Sequence, residues 1–164
     1  MNKNIFIILP YKESLDPIKS GAVSIYVKDF LKYSKYKNNV KIISSGDLIL
    51  NSKIFRNKNY IKEFCNKYRN KKISIIEVHN RPEYVGILKE NFPNTEIILT
   101  YHNDPLNLRG SYSVSERETL LKDCYKIIFI SNWIKKRFFI GTKSNIRNNY
   151  EIIYHGILKK EKID

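Results

Sequence analysis

Residues 73–101 read ISIIEVHNRPEYVGILKENFPNTEIILTY. Ile73-Ser74-Ile75-Ile76-Glu77-Val78 is a short β-branched apolar run, and Ile97-Ile98-Leu99-Thr100-Tyr101 is a second. Between them, Glu83 to Phe92 is helical in composition and is stopped by Pro93. Strand, helix, strand, with near-continuous apolar strands, is the repeating unit of a parallel sheet covered on both faces. Outward from this unit the alternation continues. Ile5 to Leu9 and Val40 to Ile43 precede it, and Ile127 to Ile130 and Ile152 to Tyr154 follow. Val23 to Tyr36 places Val23, Tyr26, Val27, Phe30, Leu31 and Ser34 on one stripe at spacings of three and four. Arg56 to Lys72 repeats the pattern with Tyr60, Ile61, Phe64, Cys65 and Tyr68. Ser113-Val114-Ser115-Glu116 is a capping box for a helix to about Cys124, and Ser131 caps a helix from Asn132 to Phe139 that Gly141 ends. The expected class is α/β: a Rossmann-like, doubly wound, mainly parallel sheet of about six or seven strands with helices on both faces. Gly46 to Asn59 is where one extra short strand fits.

Length and composition agree with one globular domain. The 164 residues are 42% hydrophobic and 13% aromatic, too apolar for a disordered chain. A chain of this length buries roughly 70% of its unfolded surface and needs no metal or disulfide staple. No apolar run nears the roughly 20 residues that span a bilayer. The N-terminal run Ile5 to Leu9 is too short for a signal-peptide core, and Cys65 and Cys124 form no motif. Both features point to a cytoplasmic protein with reduced thiols. Lys and Arg number 30 against 16 Asp and Glu, a net charge of +14. That excess suits a polyanionic partner, and it equally suits a chain simply rich in Ile, Lys and Asn.

The polar residues fall where an open parallel sheet binds ligands, beyond the carboxyl ends of its strands. His79 follows Val78, His102 follows Tyr101, and His155 follows Tyr154. His102-Asn103-Asp104-Pro105 through Arg109-Gly110 is the densest chemistry in the chain, with imidazole, amide, carboxylate and guanidinium on one loop. Its plain structural alternative is an Asx-Pro turn with Arg109 paired to Asp104. His79-Asn80-Arg81-Pro82 carries similar groups one crossover earlier. Lys19-Ser20-Gly21-Ala22 offers small residues before a helix N-terminus, a weak anion signal. Gly-x-Gly-x-x-Gly, Walker and Gly-x-Ser-x-Gly sequences are all missing, so neither a dinucleotide fingerprint nor a serine nucleophile elbow is present. A zinc site from the three His lacks ligand spacing, since the two nearest are 23 residues apart.

Several stretches, taken together and in order, resemble the N-terminal half of family-4 glycosyltransferases of the GT-B type, and bacterial lipopolysaccharide-core sugar transferases in particular. They are Leu9-Pro10-Tyr11-Lys12-Glu13 leading to Gly21-Ala22-Val23, and Glu77-Val78-His79-Asn80-Arg81-Pro82. The most specific is Tyr101-His102-Asn103-Asp104-Pro105 with Arg109-Gly110 and Ser115-Glu116-Arg117. Phe129-Ile130-Ser131-Asn132-Trp133-Ile134 looks like the family's strand–Ser–helix element. The resemblance implies an acceptor-side domain over 1–155, with 156–164 starting a linker to a donor-binding domain that the chain does not contain. It implies sugar transfer with retention from a sugar nucleotide to a glycan or glycolipid acceptor, without an essential metal. By the same resemblance His102 is the catalytic position, contacting the transferred sugar, and Gly21 lets its loop approach the donor. Asn103, Asp104 and Arg109 shape the acceptor pocket, with His79 and Arg81 beside them. The chain departs from the family's usual first-loop glycine pair, having Ser20-Gly21, and from its Asn-Gly-Val-Asp hinge, having His155-Gly156-Ile157-Leu158. Without a donor-binding domain it is expected not to turn over.

The charge leaves two other readings. Arg56, Lys58, Lys62, Lys67, Arg69, Lys71 and Lys72 face a single acid, Glu63, so this helix is either a solvated face or a contact with anionic inner-membrane lipid. A basic nucleic-acid-binding module is the alternative from a different class. It is disfavoured because the 12 Tyr, 8 Phe and 1 Trp fall mostly in core-like stripes and no nucleic-acid motif is present. A nonenzymatic subunit docking a separate catalytic half is the third.

Overall fold

A computed structural model of the chain describes residues 4–15, 18, 20–44, 53–54, 59–143 and 148–156. Lys19, Arg56, Lys58 and the linker stretch from 157 onward lie outside the described residues. The strands are β1 (Ile5–Ile8), β2 (Val40–Ser44), β3 (Lys53–Ile54), β4 (Ile75–His79), β5 (Glu96–Tyr101), β6 (Lys126–Phe129) and β7 (Tyr150–Ile152). The helices are α1 (Ala22–Tyr33), α2 (Tyr60–Tyr68), α3 (Tyr84–Asn91), α4 (Val114–Asp123) and α5 (Asn132–Phe138). The described strands make one sheet in the order β3-β2-β1-β4-β5-β6-β7, with every neighbouring pair parallel. The order reverses between β1 and β4. A doubly wound sheet opens a crevice at such a reversal, beyond the carboxyl ends of the two strands.

The short strand expected in the uncertain stretch is present as β3, hydrogen-bonded to β2 at Ile43 and Ser44. Both helix-start signals hold. Ser113 and Glu116 form a reciprocal capping box on α4, and the Ser131 hydroxyl accepts from the Ile134 N–H at 3.2 Å on α5. The last strand is displaced from its expected position: β7 pairs with β6 over Tyr150–Ile152, because β6 ends at Phe129 and offers nothing to pair with Tyr154. His155 therefore stands three residues beyond the strand instead of directly after it. The first helix is also shorter than its stripe suggests, ending at Tyr33, and Phe30 is 48% exposed.

Helices cover both faces, but unequally. Alternate residues of β1 decide the division: Ile5, Ile7 and Leu9 pack with Val23 and Val27 of α1 in one cluster, while Phe6 and Ile8 join the other. That second cluster takes in α2, α3, α4 and α5, through Phe64, Leu88, Leu121 and Phe138 among others. The α1 face of β4 to β6 is accordingly the less buried one: Ile75, Ile98 and Ile128 are half-buried where Ile76, Leu99 and Phe129 are buried. Glu77, His79 and His102 lie on or beyond that thinly covered face. The basic helix α2 has committed its apolar side to the core, with Tyr60, Ile61, Phe64, Cys65 and Tyr68 buried and Lys62 and Lys67 exposed.

The loop after β5 is locked by Gly110, whose φ is +85°. A Cβ there would stand 2.6 Å from the Glu83 backbone nitrogen and 2.8 Å from its Cα, atoms that cannot step aside. Left-handed strain and the overpacking together are expected to make Gly110→Ala destabilising by about 2–4 kcal/mol in urea unfolding. Gly141→Ala, at φ +76° with only the Val114 methyl at 3.1 Å, is the milder comparison. Equal midpoints for Gly110→Ala and the parent chain would contradict the packing described.

Candidate functional site

β4 carries Glu77 and His79 to the crevice, and β5 delivers His102 immediately after Tyr101. Asn80 joins the two loops. It adopts a left-handed φ of +51°, tolerable for an Asn, and its N–H donates to the Thr100 carbonyl at 3.0 Å. Its Oδ1 accepts from the His102 N–H at 2.8 Å and the Asn103 N–H at 3.2 Å. That clamp brings the imidazoles into register, and His79 Nδ1 lies 2.8 Å from His102 Nε2. Two nitrogens sharing one tetrahedral zinc would stand about 3.3 Å apart, so this contact is a hydrogen bond. Among the described residues no three His, Cys, Asp or Glu side chains are arranged to hold a metal ion.

Tyr26, projecting from α1, covers the pair. Its ring centroid is 5.1 Å from that of His102 and 6.0 Å from that of His79, both edge-on. On its other side it stacks on His155 at 4.3 Å, and His155 is 5.2 Å from His102. The expected convergence of three histidines is therefore present, despite the shift of β7. The outer wall of the cluster continues into a cleft of about 790 Å³ lined by Ile25, Tyr26, Phe30, Tyr154 and His155, the size of a small-ligand site.

Beneath the rings, Glu77 Oε1 accepts from the Thr100 hydroxyl at 2.9 Å and stands 3.3 Å from His79 Nε2. Burial lowers the His79 imidazole to about 3, with His155 adding to the shift. Burial likewise lowers His102 to about 2, helped by His79 and His155. Burial raises the Glu77 carboxyl, and the Thr100 hydrogen bond partly offsets it. Both imidazoles are therefore neutral at physiological pH and act as hydrogen-bonding groups, not as cations.

This neutrality makes stability pH-dependent. In the unfolded chain the two histidines protonate near their ordinary value of about 6.5, while in the folded chain they stay neutral. The unfolded state thus binds more protons, and stability falls as pH drops below about 6.5. Glu77 works in the opposite sense, its raised folded value retaining a proton that the unfolded chain gives up. Two imidazoles alone would lose about 2.5 kcal/mol between pH 7 and pH 5.5 and Glu77 returns part of it, so a net loss of about 1–2 kcal/mol is expected. The loss should survive 0.5 M salt, which screens the general repulsion of a basic chain. Unfolding free energies that match at the two pH values would refute it.

The remaining sequence-picked residues lie apart from the rings. Gly21 is the N-cap of α1, and a side chain there would run into the Glu13 carboxylate. Glu13 Oε2 accepts from the Ser24 N–H at 3.3 Å and from its hydroxyl, so this helix terminus already holds an anion supplied by the chain. Asp104 is tied to Arg137, whose Nε and Nη2 donate to Oδ2 at 3.0 and 2.9 Å. Its Oδ1 accepts from the Leu106 N–H at 3.1 Å, and the Arg137 contact holds its carboxyl below the usual range. The partner of Asp104 is thus Arg137 and not the Arg109 of the Asx-Pro alternative. Arg81 Nη1 donates to the Asn80 carbonyl at 3.0 Å, and its Nε is 4.0 Å from Glu83. Arg109 is exposed and its charge also reaches Glu83. Asn103 is exposed beside His102.

Three contributors escaped the sequence reading. Tyr26 sat in an apolar stripe and looked like core. Asn80 stood in the His79–Pro82 stretch that the sequence picks out, but was given no role of its own. Glu77 did carry one, a lone charge inside an apolar run.

No family model matches the chain, and no curated protein matches it in sequence. Solved structures do match. One is the crystal structure of Anabaena Alr3699/HepE in complex with UDP-glucose, with a TM-score of 0.62 and 12% identity over 93% of this chain and 44% of that one. The same protein in complex with UDP gives 0.61 and 12% over 94% of this chain and 44% of that one. This chain thus spans less than half the length of these neighbours. At such identity the likeness is one of fold, and the fold they share with this chain is the α/β, Rossmann-like, parallel sheet described above.

Proposed function

We propose that this chain is the acceptor-binding half of a sugar-nucleotide-dependent, retaining glycosyltransferase acting on a lipopolysaccharide or other cell-surface glycan. One observation carries the reading above all: two neutral, hydrogen-bonded imidazoles sit at the crevice where the strand order reverses. The shared fold with a protein crystallised with UDP-glucose supports it. Glycosyl transfer needs a departing diphosphate stabilised and an electron-poor sugar carbon held against an acceptor hydroxyl, which is positional and electrostatic work. In this reading His102 touches the transferred sugar, with Tyr26 and His155 forming the wall against it. Asn103 and Arg109 are exposed on the same loop and available to an acceptor. Asp104 serves them indirectly, by fixing the loop to α5 through Arg137. A donor-binding domain supplies the nucleotide pocket, and no essential metal takes part.

The +14 charge suits a phosphorylated glycolipid at an anionic inner membrane. Contact there would be peripheral, since no described helix is long and apolar enough to cross a membrane. For nucleic acid the support is poorer: Phe6, Phe64, Phe129 and Tyr101 are spent in the core, and although more aromatics are exposed than the stripes suggested, Tyr33, Tyr112, Tyr125 and Trp133 sit on separate elements and belong to no nucleic-acid motif.

The test is sugar transfer. The chain is supplied with a donor-binding domain and assayed with UDP-sugars and glycolipid acceptors, with and without EDTA. Transfer that requires this chain and resists EDTA is expected. Absence of transfer, together with tight and strongly salt-dependent DNA binding, would favour the nucleic-acid alternative.

A further inference from the structure

Glu77 stands out among the groups that the proposed chemistry does not use. It interrupts an apolar strand, is largely buried, and takes a hydrogen bond from Thr100 on the neighbouring strand. A carboxylate in such a place is expensive unless its oxygens are used. His79 poses the complementary problem. Its Nε2 is shut off from water and has no hydrogen-bond partner of standard geometry, and the polar atom facing it is Glu77 Oε1 at 3.3 Å.

We propose that Glu77 is a positioning residue that fixes, through His79, which ring nitrogen of His102 carries the proton. The inference rests on the reading of His102 as the group that meets the sugar. Thr100 has one hydroxyl proton and gives it to Glu77 Oε1, which makes that oxygen an acceptor. It remains an acceptor when the carboxyl is protonated, provided the proton rides on Oε2. An acceptor 3.3 Å away, although out of line for a full hydrogen bond, is met better by an N–H than by a lone pair, and this places the His79 proton on Nε2. A neutral imidazole has one donor and one acceptor, so His79 Nδ1 is then a bare lone pair. The 2.8 Å contact can form only if His102 Nε2 donates into it. His102 consequently keeps its proton on Nε2 and leaves Nδ1 bare, with no hydrogen-bond partner among the described residues.

The chain Thr100–Glu77–His79–His102 therefore runs in one direction and ends in an acceptor. His102 receives a hydrogen bond from its ligand and does not donate one. The substrate group it recognises is a hydroxyl presenting its hydrogen, as a sugar or an acceptor alcohol does, and not a carbonyl, phosphate or carboxylate oxygen. The Glu77–His79–His102 chain is the arrangement by which buried carboxylates orient imidazoles.

The experiment is ¹⁵N NMR of the histidine rings in the chain alone, without substrate, near pH 7. Protonated Nε2 and bare Nδ1 on His102, and protonated Nε2 on His79, are expected. Glu77→Met removes the acceptor, and a large fraction of His102 should shift its proton to Nδ1. Glu77→Gln keeps an oxygen in place and should retain the parent tautomer. In the reconstituted transfer assay Glu77→Met should lower kcat at least tenfold with the donor KM unchanged, and Glu77→Gln should restore most of it. A protonated His102 Nδ1 in the unaltered chain overturns the proposal, and that spectrum is available even if Glu77→Met fails to fold. The NMR result stands independently of transfer, so failure of the tautomer assignment and failure of the glycosyltransferase reading are separately visible.

Discussion

His102→Ala should reduce sugar transfer in the reconstituted enzyme by about 10²–10³-fold, the scale seen when one preorganised polar group is removed from a reacting centre. The effect should fall on kcat and leave the donor KM nearly unchanged. The bulk of donor binding belongs to the nucleotide, which the proposed reading assigns to the other domain. A split of this kind marks a group whose contact strengthens as charge develops. His102 is placed for that role by geometry that does not depend on its own side chain: its backbone N–H is fixed on Asn80 Oδ1 at 2.8 Å. The alanine variant should therefore fold, and circular dichroism with a urea midpoint will verify this. His79→Ala is a poorer probe, because His79 is 1% exposed and its loss also opens a cavity.

Arg117→Ala carries the largest expected effect on stability. Arg117 is 2% exposed, and its guanidinium donates to the carbonyls of Ser111 at 3.0 Å, Tyr112 at 2.7 Å and Ile140 at 2.6 Å. These bonds fasten the end of the His102–Ser113 loop to the segment after α5. Truncation removes three charge-assisted hydrogen bonds, leaves the buried Ser111 carbonyl without its guanidinium partner and empties a cavity. A loss of about 3–5 kcal/mol is expected, or roughly 10 °C in a thermal melt of a chain this size. Arg117→Lys should recover only part of it, because an ammonium cannot span carbonyls on two segments as a planar fork does. A melt within 2 °C of the parent for Arg117→Ala would mean that the loop is held by something else.

The sequence reveals the sheet because period and punctuation are local properties. Ile73–Val78 and Ile97–Tyr101 have no competing helical reading, and Ser113 and Ser131 mark helix starts by chemistry internal to a few residues. The end of β7 is not legible in the sequence because pairing, not apolarity, sets where an edge strand stops: β6 runs out at Phe129. The unequal covering of the two faces was equally hidden. Ile98 and Ile128 look like two-sided core strands in one dimension, and only the placement of a single helix, α1, on their side shows otherwise.

For the candidate site, strand-end position was enough to find His79, His102 and His155. Their mutual geometry was not legible, since it depends on Asn80 adopting a left-handed turn. Long-range partners were invisible for the same reason. Asp104 pairs with Arg137, 33 residues away, instead of with the nearby Arg109, and the anion place at Gly21 is filled by Glu13. Tyr26 could not be told from a core residue, because one side of its ring is packed and the other stacks on His155.

The most direct test of the ring-lined crevice as the place where sugar is met is ligand titration followed on the histidine ring carbons by NMR. UDP-glucose is added to the chain supplied with a donor-binding domain, with UDP and glucose as separate comparisons. Progressive shifts at His102 and His155 with UDP-glucose, larger than with UDP alone, are the expected result. Silent His102 and His155 signals across the whole range, or shifts confined to the opposite edge around Arg69 and Asn94, would contradict the account.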